Sequence, residues 1–158
     1  NLQTINDKLK KFNFNVNLTF LKSKTELSKT ELESREKNAR TNQIIDKYRN
    51  MTGQPPYIIN AGFFYNGNNL NMGLFYNVKG YTLQYVGLVD RPNVYSVPFN
   101  SLNFNSTKIF GKFKIGVKID NILNSKKEYV YKSFNSNDQY FSKINVGTTS
   151  QIKLIYSF

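Results

Sequence analysis

The chain has 158 residues, 39% hydrophobic, 15% aromatic and 20% charged, and its 22 Lys and Arg against 10 Asp and Glu leave a formal charge of +12. That size is the prior for one domain, the hydrophobic fraction excludes a wholly disordered chain, and no apolar run approaches the ~18 residues of a transmembrane helix. Cys and His are absent, which removes disulfides, thiolate metal sites, a cysteine nucleophile, the usual imidazole base and the commonest metal ligand. No catalytic residue, cofactor site or metal site can be named, and the expectation is that the chain is not an enzyme.

The first residues, Asn1-Leu2-Gln3-Thr4, include neither an initiator Met nor a basic region followed by an apolar one, as expected of a processed end or an internal cut. From Phe12 to Phe20 the apolar Phe12, Phe14, Val16, Leu18 and Phe20 alternate with Asn13, Asn15, Asn17 and Thr19. A period of two predicts a strand with one apolar and one polar face. The stretch Lys22 to Pro56 follows as a long connection. Within it, Ser28-Lys29-Thr30-Glu31 and Thr30-Glu31-Leu32-Glu33 both match the capping-box pattern, and Thr30 to Tyr48 is rich in helix formers, so a short surface helix is expected. The carboxylates Glu26, Glu31, Glu33 and Glu36 are interspersed with Lys29, Arg35, Lys37 and Arg40, the pattern of a solvated helix face rather than of an acid–base or cation site.

Tyr57 to Tyr65 forms a second strand whose polar face is blurred by Ile58 and Phe64. In the third, Leu70, Met72, Leu74, Tyr76 and Val78 alternate with Asn71, Gly73, Phe75, Asn77 and Lys79. Ser101 to Thr107, around Leu102 and Phe104, gives a fourth. A fifth sets Phe113, Ile115, Val117 and Ile119 against Lys114, Gly116, Lys118 and Asp120, and a sixth sets Ile152, Leu154, Tyr156 and Phe158 against Gln151, Lys153, Ile155 and Ser157. Gly62, Gly73 and Gly116, inside strands, leave room for curvature or a bulky neighbour. Asn-x-Ser/Thr matches at Asn17, Asn50 and Asn105 carry little information in so Asn-rich a chain.

The connections alternate in length. Gly67-Asn68-Asn69 and Phe110-Gly111-Lys112 are tight turns, while about 22–56, 87–97 and 123–146 are long. Short on one side and long on the other is the layout of outer-membrane barrels. A soluble sandwich also alternates, but it buries its apolar face against a second sheet. In a barrel that face meets lipid, with aromatic girdles at both interfaces; Tyr57, Tyr65, Tyr76, Tyr81, Phe113 and Tyr156 fall near strand ends, although Trp is absent. The rival to the barrel is a soluble basic β-sandwich that binds an anionic polymer such as nucleic acid or a glycan. A nucleic-acid module would group its cations on one surface, whereas here Lys114, Lys118 and Lys153 fall on polar strand faces and Lys22, Lys24, Lys29, Lys126, Lys127 and Lys132 in connections. Nucleic acid is therefore not the expected partner.

The closing stretch Ile152-Lys153-Leu154-Ile155-Tyr156-Ser157-Phe158, with Asp120-Asn121-Ile122-Leu123-Asn124 one hairpin earlier, resembles the carboxy-terminal barrel of TonB-dependent outer-membrane receptors. Met51 to Gly62, Gly73-Leu74-Phe75-Tyr76-Asn77 and Pro98 to Phe104 are similar to the same region, and the resemblance runs from about Phe12 to Phe158. One departure is Val146-Gly147-Thr148-Thr149, where relatives often carry Pro-Gly and then Arg-Thr. The resemblance implies an all-β fold, an antiparallel transmembrane β-barrel segment of about six strands spanning residues 1–158, completed by the rest of a larger barrel. Six strands cannot close in lipid, and open edges there would leave backbone groups without partners, so the chain is expected to be a fragment or one part of a split barrel. The implied location is the outer membrane of a Gram-negative bacterium.

By the same resemblance, the function is uptake of a large nutrient ligand, with Ile152, Leu154, Tyr156 and Phe158 as the barrel-assembly signal. The implied partners are outer-membrane lipid and lipopolysaccharide, the plug and remaining strands of the same receptor, the inner-membrane energy-transducing complex through a portion not included here, and a surface lipoprotein. Arg91, Tyr95, Tyr131, Tyr140 and Phe141 are the candidate ligand contacts in the external loops, because rigid aromatic faces supply contact area at small entropic cost.

Overall fold

The structure is a computed structural model that describes residues 9–88 and 91–158. The amino-terminal tetrapeptide read above as a processed end or an internal cut lies outside the described residues. In chain order the described elements are β1 (Phe12–Phe20), β2 (Lys24–Glu26), α1 (Lys29–Lys37), β3 (Tyr48–Asn50), β4 (Tyr57–Asn66), β5 (Leu70–Lys79) and β6 (Thr82–Tyr85). They continue with β7 (Asn93–Ser96), β8 (Ser101–Phe110), β9 (Phe113–Asp120), β10 (Lys126–Lys132), β11 (Gln139–Asn145) and β12 (Thr149–Tyr156). The chain is mostly β, and its sheets are antiparallel.

The six expected strands form one sheet in the order β1-β4-β5-β8-β9-β12, a meander in which each pairs with the next of the six. Register places the alternating residues in rows. One row runs Phe14, Phe63, Leu74, Phe104 and Ile119; another runs Leu70, Lys108, Ile115 and Leu154. One face is therefore apolar across all six strands, interrupted by Ser106, Lys108 and, on β12, Ser150. The other carries Asn13, Asn15 and Asn17 at one side, Lys114, Lys118 and Lys153 at the other, and a side-chain hydrogen bond of 2.7 Å from Asn77 Nδ2 to Asn60 Oδ1 between them. Gly62 and Gly73 serve this face: a Cβ on either would stand 2.8 Å from the ring of Phe64 or Phe75, and these two rings meet edge to face at 5.1 Å. Gly116 has no such role, since its Cβ would make an ordinary 3.6 Å contact with Lys153.

Both tight turns lie at one end of the sheet together with the end of β12, and the turn in 111 is made by Gly111 at φ +55. All three long connections leave from the other end. They are not coil. β2 pairs with β3, and β6, β7, β10 and β11 form a four-stranded sheet in the order β11-β10-β7-β6. Those short strands lack strict alternation, so the hydrophobic pattern does not announce them. α1 starts where the first capping box places it, with Ser28 Oγ accepting from the Glu31 N–H at 3.2 Å. It ends at Lys37, well before Tyr48, because Asn38 turns the chain and bonds back to Ser34.

The buried apolar residues among those described are Leu27, Val78, Leu83, Val94 and Val130. Four of them belong to the long connections, and Val78 lies where β5 enters one. The six-stranded sheet has no buried core of its own: Phe14 is 67% exposed and Ile152 81%. β1 and β12 are its two edges and do not pair with each other among the described residues.

Candidate functional site

The three long connections interlock into one cap. Arg35 on α1 donates from Nη2 to Asn93 Oδ1 on β7 at 3.0 Å, and Arg40 donates from Nη1 to the carbonyl of Phe134 at 3.0 Å. The Gly53 N–H donates to the Leu83 carbonyl at 2.8 Å. Each of these bonds ties the first connection to the second or third. Glu31, read from the sequence as part of a solvated helix face, is instead a clamp, because its carboxylate takes Arg35 at 2.9 Å and Arg49 of β3 at 3.2 Å with its side chain only 11% exposed.

Of the five candidate ligand contacts, three come together. Arg91, Tyr131 and Phe141 line one cleft of about 560 Å³ with Tyr85, Val94 and Leu88. The rings of Tyr85 and Tyr131 sit 5.7 and 5.4 Å from that of Phe141, and Tyr85, Val94 and Tyr131 follow one another across β6, β7 and β10. A register shift after Tyr129 pairs Val130 with Tyr140, which leaves Phe141 free of the regular ladder. Tyr95 and Tyr140 fall elsewhere. Tyr95 and Tyr140 both pair with Val130, which is next to Tyr131 on β10, so pleating sends them to the opposite face, where Tyr95 faces another cleft with Arg49 and Tyr140 holds Lys143 over its ring at 4.5 Å. Tyr85 was not singled out by sequence. Its signal was the alternation of Leu83 and Tyr85 around Gln84, too short to read as a strand.

Beside the aromatic cleft, and sharing Gly87, Arg91 and Pro92 with it, is a basic one bordered by Arg35, Arg40 and Lys132, with no carboxylate among the described residues of its lining. Lys132 has Asp138 at 3.5 Å. Arg40 and Arg91 enter no ion pair among the described residues. Gly87 lies close against Arg91 and Asn93: its N–H donates to Asn93 Oδ1 at 2.9 Å, and a Cβ there would collide with the carbonyl of Arg91.

Two groups elsewhere in the cap are displaced in titration. Lys143 is raised above the usual lysine value, chiefly by its hydrogen bond to Glu128 at 2.6 Å and then by the Tyr140 hydroxyl. Asp46 is lowered, chiefly by its hydrogen bond from Lys24 at 3.0 Å and then by the Tyr48 N–H. Neither faces the two clefts.

Ile152, Leu154 and Tyr156 pair with Val117, Ile115 and Phe113 on the apolar face of the edge strand. The Phe158 ring meets Tyr156 at 5.2 Å, and Tyr156 meets Phe113 at 4.9 Å. Asp120-Asn121-Ile122-Leu123-Asn124 forms the joint between sheet and cap. Asn121 is buried at φ +54; its Nδ2 donates to the carbonyls of Ser125 and Gly147, its Oδ1 accepts from the Ser125 N–H, and its own carbonyl accepts from Thr148 Oγ1 at 2.8 Å. Asn tolerates this left-handed backbone better than most side chains do and still supplies two donors and an acceptor.

The described residues contain no cluster of acidic side chains able to hold a metal ion. Comparisons with protein families, with curated proteins and with solved structures find no match to this chain.

Proposed function

We propose that this chain forms barrel wall and external loops of a TonB-dependent receptor in the outer membrane of a Gram-negative bacterium, serving uptake of a large nutrient ligand. One observation carries the reading: an apolar face spans all six strands without cover, while every long connection leaves from the same end. The face measures roughly 29 Å across the strands and roughly 30 Å along them by strand geometry, a projected area of about 870 Å², above the ~300–600 Å² of the largest apolar patch on a typical soluble monomer. A sandwich would bury it, yet Phe14, Phe63, Leu74, Ile152 and Leu154 on it are exposed, and its buried member, Val78, lies at the end next to the cap.

Lipid resolves this cost. β1, β4, β5 and β8, of 9 to 10 residues, match the ~9–11 of a tilted crossing of the hydrocarbon layer, and β9 and β12, of 8, fall just short of it. At the turn end the rings of Phe12 and Tyr65 meet on one side of the sheet and those of Phe113, Tyr156 and Phe158 on the other, and Lys108 lies over Phe110 at 4.6 Å, as a cation does when it leaves hydrocarbon for the headgroups. The Asn- and Lys-rich face then lines a wet lumen. On this reading the edges β1 and β12 are completed by further strands, because each unpaired backbone group in lipid costs several kcal/mol.

Cell fractionation of the source organism with peptide mass spectrometry tests the proposal. The expected result is recovery of these peptides in the outer-membrane fraction, on a chain that also yields plug peptides and migrates differently on a gel before and after heating. A soluble, monomeric mature chain would overturn it.

A further inference from the structure

We infer that the cap takes the aromatic, anionic part of its ligand, with a flat apolar ring in the cleft of Tyr85, Tyr131 and Phe141 and the charged group in the adjacent basic cleft, Arg91 lining both. The inference rests on the reading of the cap as a ligand-binding layer and deepens it by naming the ligand's chemistry. Three observations point the same way.

The first is electrostatic. Arg35, Arg40, Arg91 and Lys132 border a cleft in whose described lining no carboxylate occurs; Lys132 has Asp138 at 3.5 Å, and the carboxylate clamped to Arg35 is shared with Arg49. Two guanidiniums to one carboxylate leave an excess of one positive charge there, with Arg40 and Arg91 outside every ion pair described. Cations gathered in a concave site focus their field and draw an anion of phosphate or carboxylate type, whose oxygens match the guanidinium fork. A neutral sugar would use none of this.

The second is shape. At about 560 Å³ the aromatic cleft is within the range of small-molecule sites, and Tyr85 is 57% and Phe141 47% exposed. Their rings hold one another at 5.7 Å and leave open faces against which a planar group can stack.

The third is placement. The two clefts share Gly87, Arg91 and Pro92, and Asn93 holds the Gly87 N–H while it is itself gripped by Arg35. One ligand can therefore reach both clefts without rearrangement of the cap.

The experiment is isothermal titration calorimetry on the full chain as recovered from its source, in non-ionic detergent where it is membrane-bound, with three probes: 1-naphthyl phosphate, 1-naphthol and inorganic phosphate. The expected result is that 1-naphthyl phosphate binds on the order of tenfold or more tighter than either half alone, that added salt weakens it, and that Arg91→Gln and Tyr85→Ser each cost on the order of tenfold. Both side chains are exposed, so these variants keep the fold, and Lys153→Gln on the polar face of the sheet is the silent control. Equal affinity for 1-naphthyl phosphate and 1-naphthol, equal affinity for 1-naphthyl phosphate and phosphate, or indifference to Arg91→Gln would overturn the inference. The two readings fail separately: an outer-membrane chain that ignores the probes sinks only this one, and a soluble chain that binds them sinks only the receptor.

Discussion

In the six-stranded sheet Phe14 and Leu154 face outward with nothing against them, whereas Leu83 and Val94 in the four-stranded sheet of the cap are almost wholly buried. Both regions use the same residue types and the same antiparallel pairing. Their difference is in what supplies the apolar environment. The cap makes its own core, as a water-soluble fold must, from short strands that pair between connections. The sheet makes none and presents its apolar side chains in a surface of period two. A protein in one solvent would bury both; one that meets water at one end and lipid along the strands would bury only the first.

The largest effect expected on this comparison belongs to the cap. Leu83→Ala removes a side chain that is 1% exposed and leaves a cavity in the four-stranded sheet of the cap, a loss of about 2–5 kcal/mol. Hydrogen exchange should show it as faster exchange in β6, β7 and β10 while amides of β5 and β8 hold. Next is Leu74→Arg, at mid-strand on the apolar face, where Leu74 is already 39% exposed. In water an exposed substitution costs within about 0.5 kcal/mol; facing the middle of a bilayer it costs about 2–4 kcal/mol. Urea unfolding of the full chain in phospholipid vesicles measures which of these applies, and a loss no larger than the first figure would count against lipid.

Asn121→Ala tests the joint between the two regions. It strips two donors and an acceptor from a buried position and leaves the Gly147 carbonyl without the partner it has at 2.8 Å, a loss of about 1–3 kcal/mol. Asn121→Asp keeps the acceptor to the Ser125 N–H but turns a charged oxygen toward the Ser125 and Gly147 carbonyls, so it should not rescue. Exchange near Gly147 and Ser125 reads both variants.

The sheet was legible because alternation is a direct imprint of two environments on one strand. Phe12 to Phe20 could be bounded to the residue, and the turn at Gly111 was marked by a glycine that its positive φ requires. The joint was legible only as a string of residues; that Asn121 would knit Ser125 to Gly147 depends on where the third connection returns. The cap was nearly silent. β10 reads Lys-Lys-Glu-Tyr-Val-Tyr-Lys, with no period to follow, since its partner β7 comes from a different connection and its burial is decided by that meeting. For the same reason Arg91, Tyr131 and Phe141 could be chosen as exposed aromatics and cations, but not separated from Tyr95 and Tyr140, whose faces the pairing alone sets.

The smallest effect concerns Lys143, which belongs to the cap yet lies in water, and so asks whether the order of the cap extends to its rim. The Glu128 carboxylate at 2.6 Å and the Tyr140 hydroxyl at 3.3 Å favour the charged ammonium, so its titration moves up relative to the unfolded chain, where lysine loses its proton near ~10.4. A raised value means that the folded state binds the proton more tightly. The contribution is therefore fully present below the unfolded value and is lost as pH rises through the folded one. Side-chain carbon shifts of Lys143 followed by NMR through that alkaline range should titrate later than those of an unpartnered lysine, and Glu128→Gln should bring them back. Because the pair joins β10 to β11 at the register position Glu128 opposite Lys143, an unshifted Lys143 would mean that β11 frays in solution. Phe141 would then be carried away from Tyr85 and Tyr131, and the aromatic cleft would exist only when a ligand closes it.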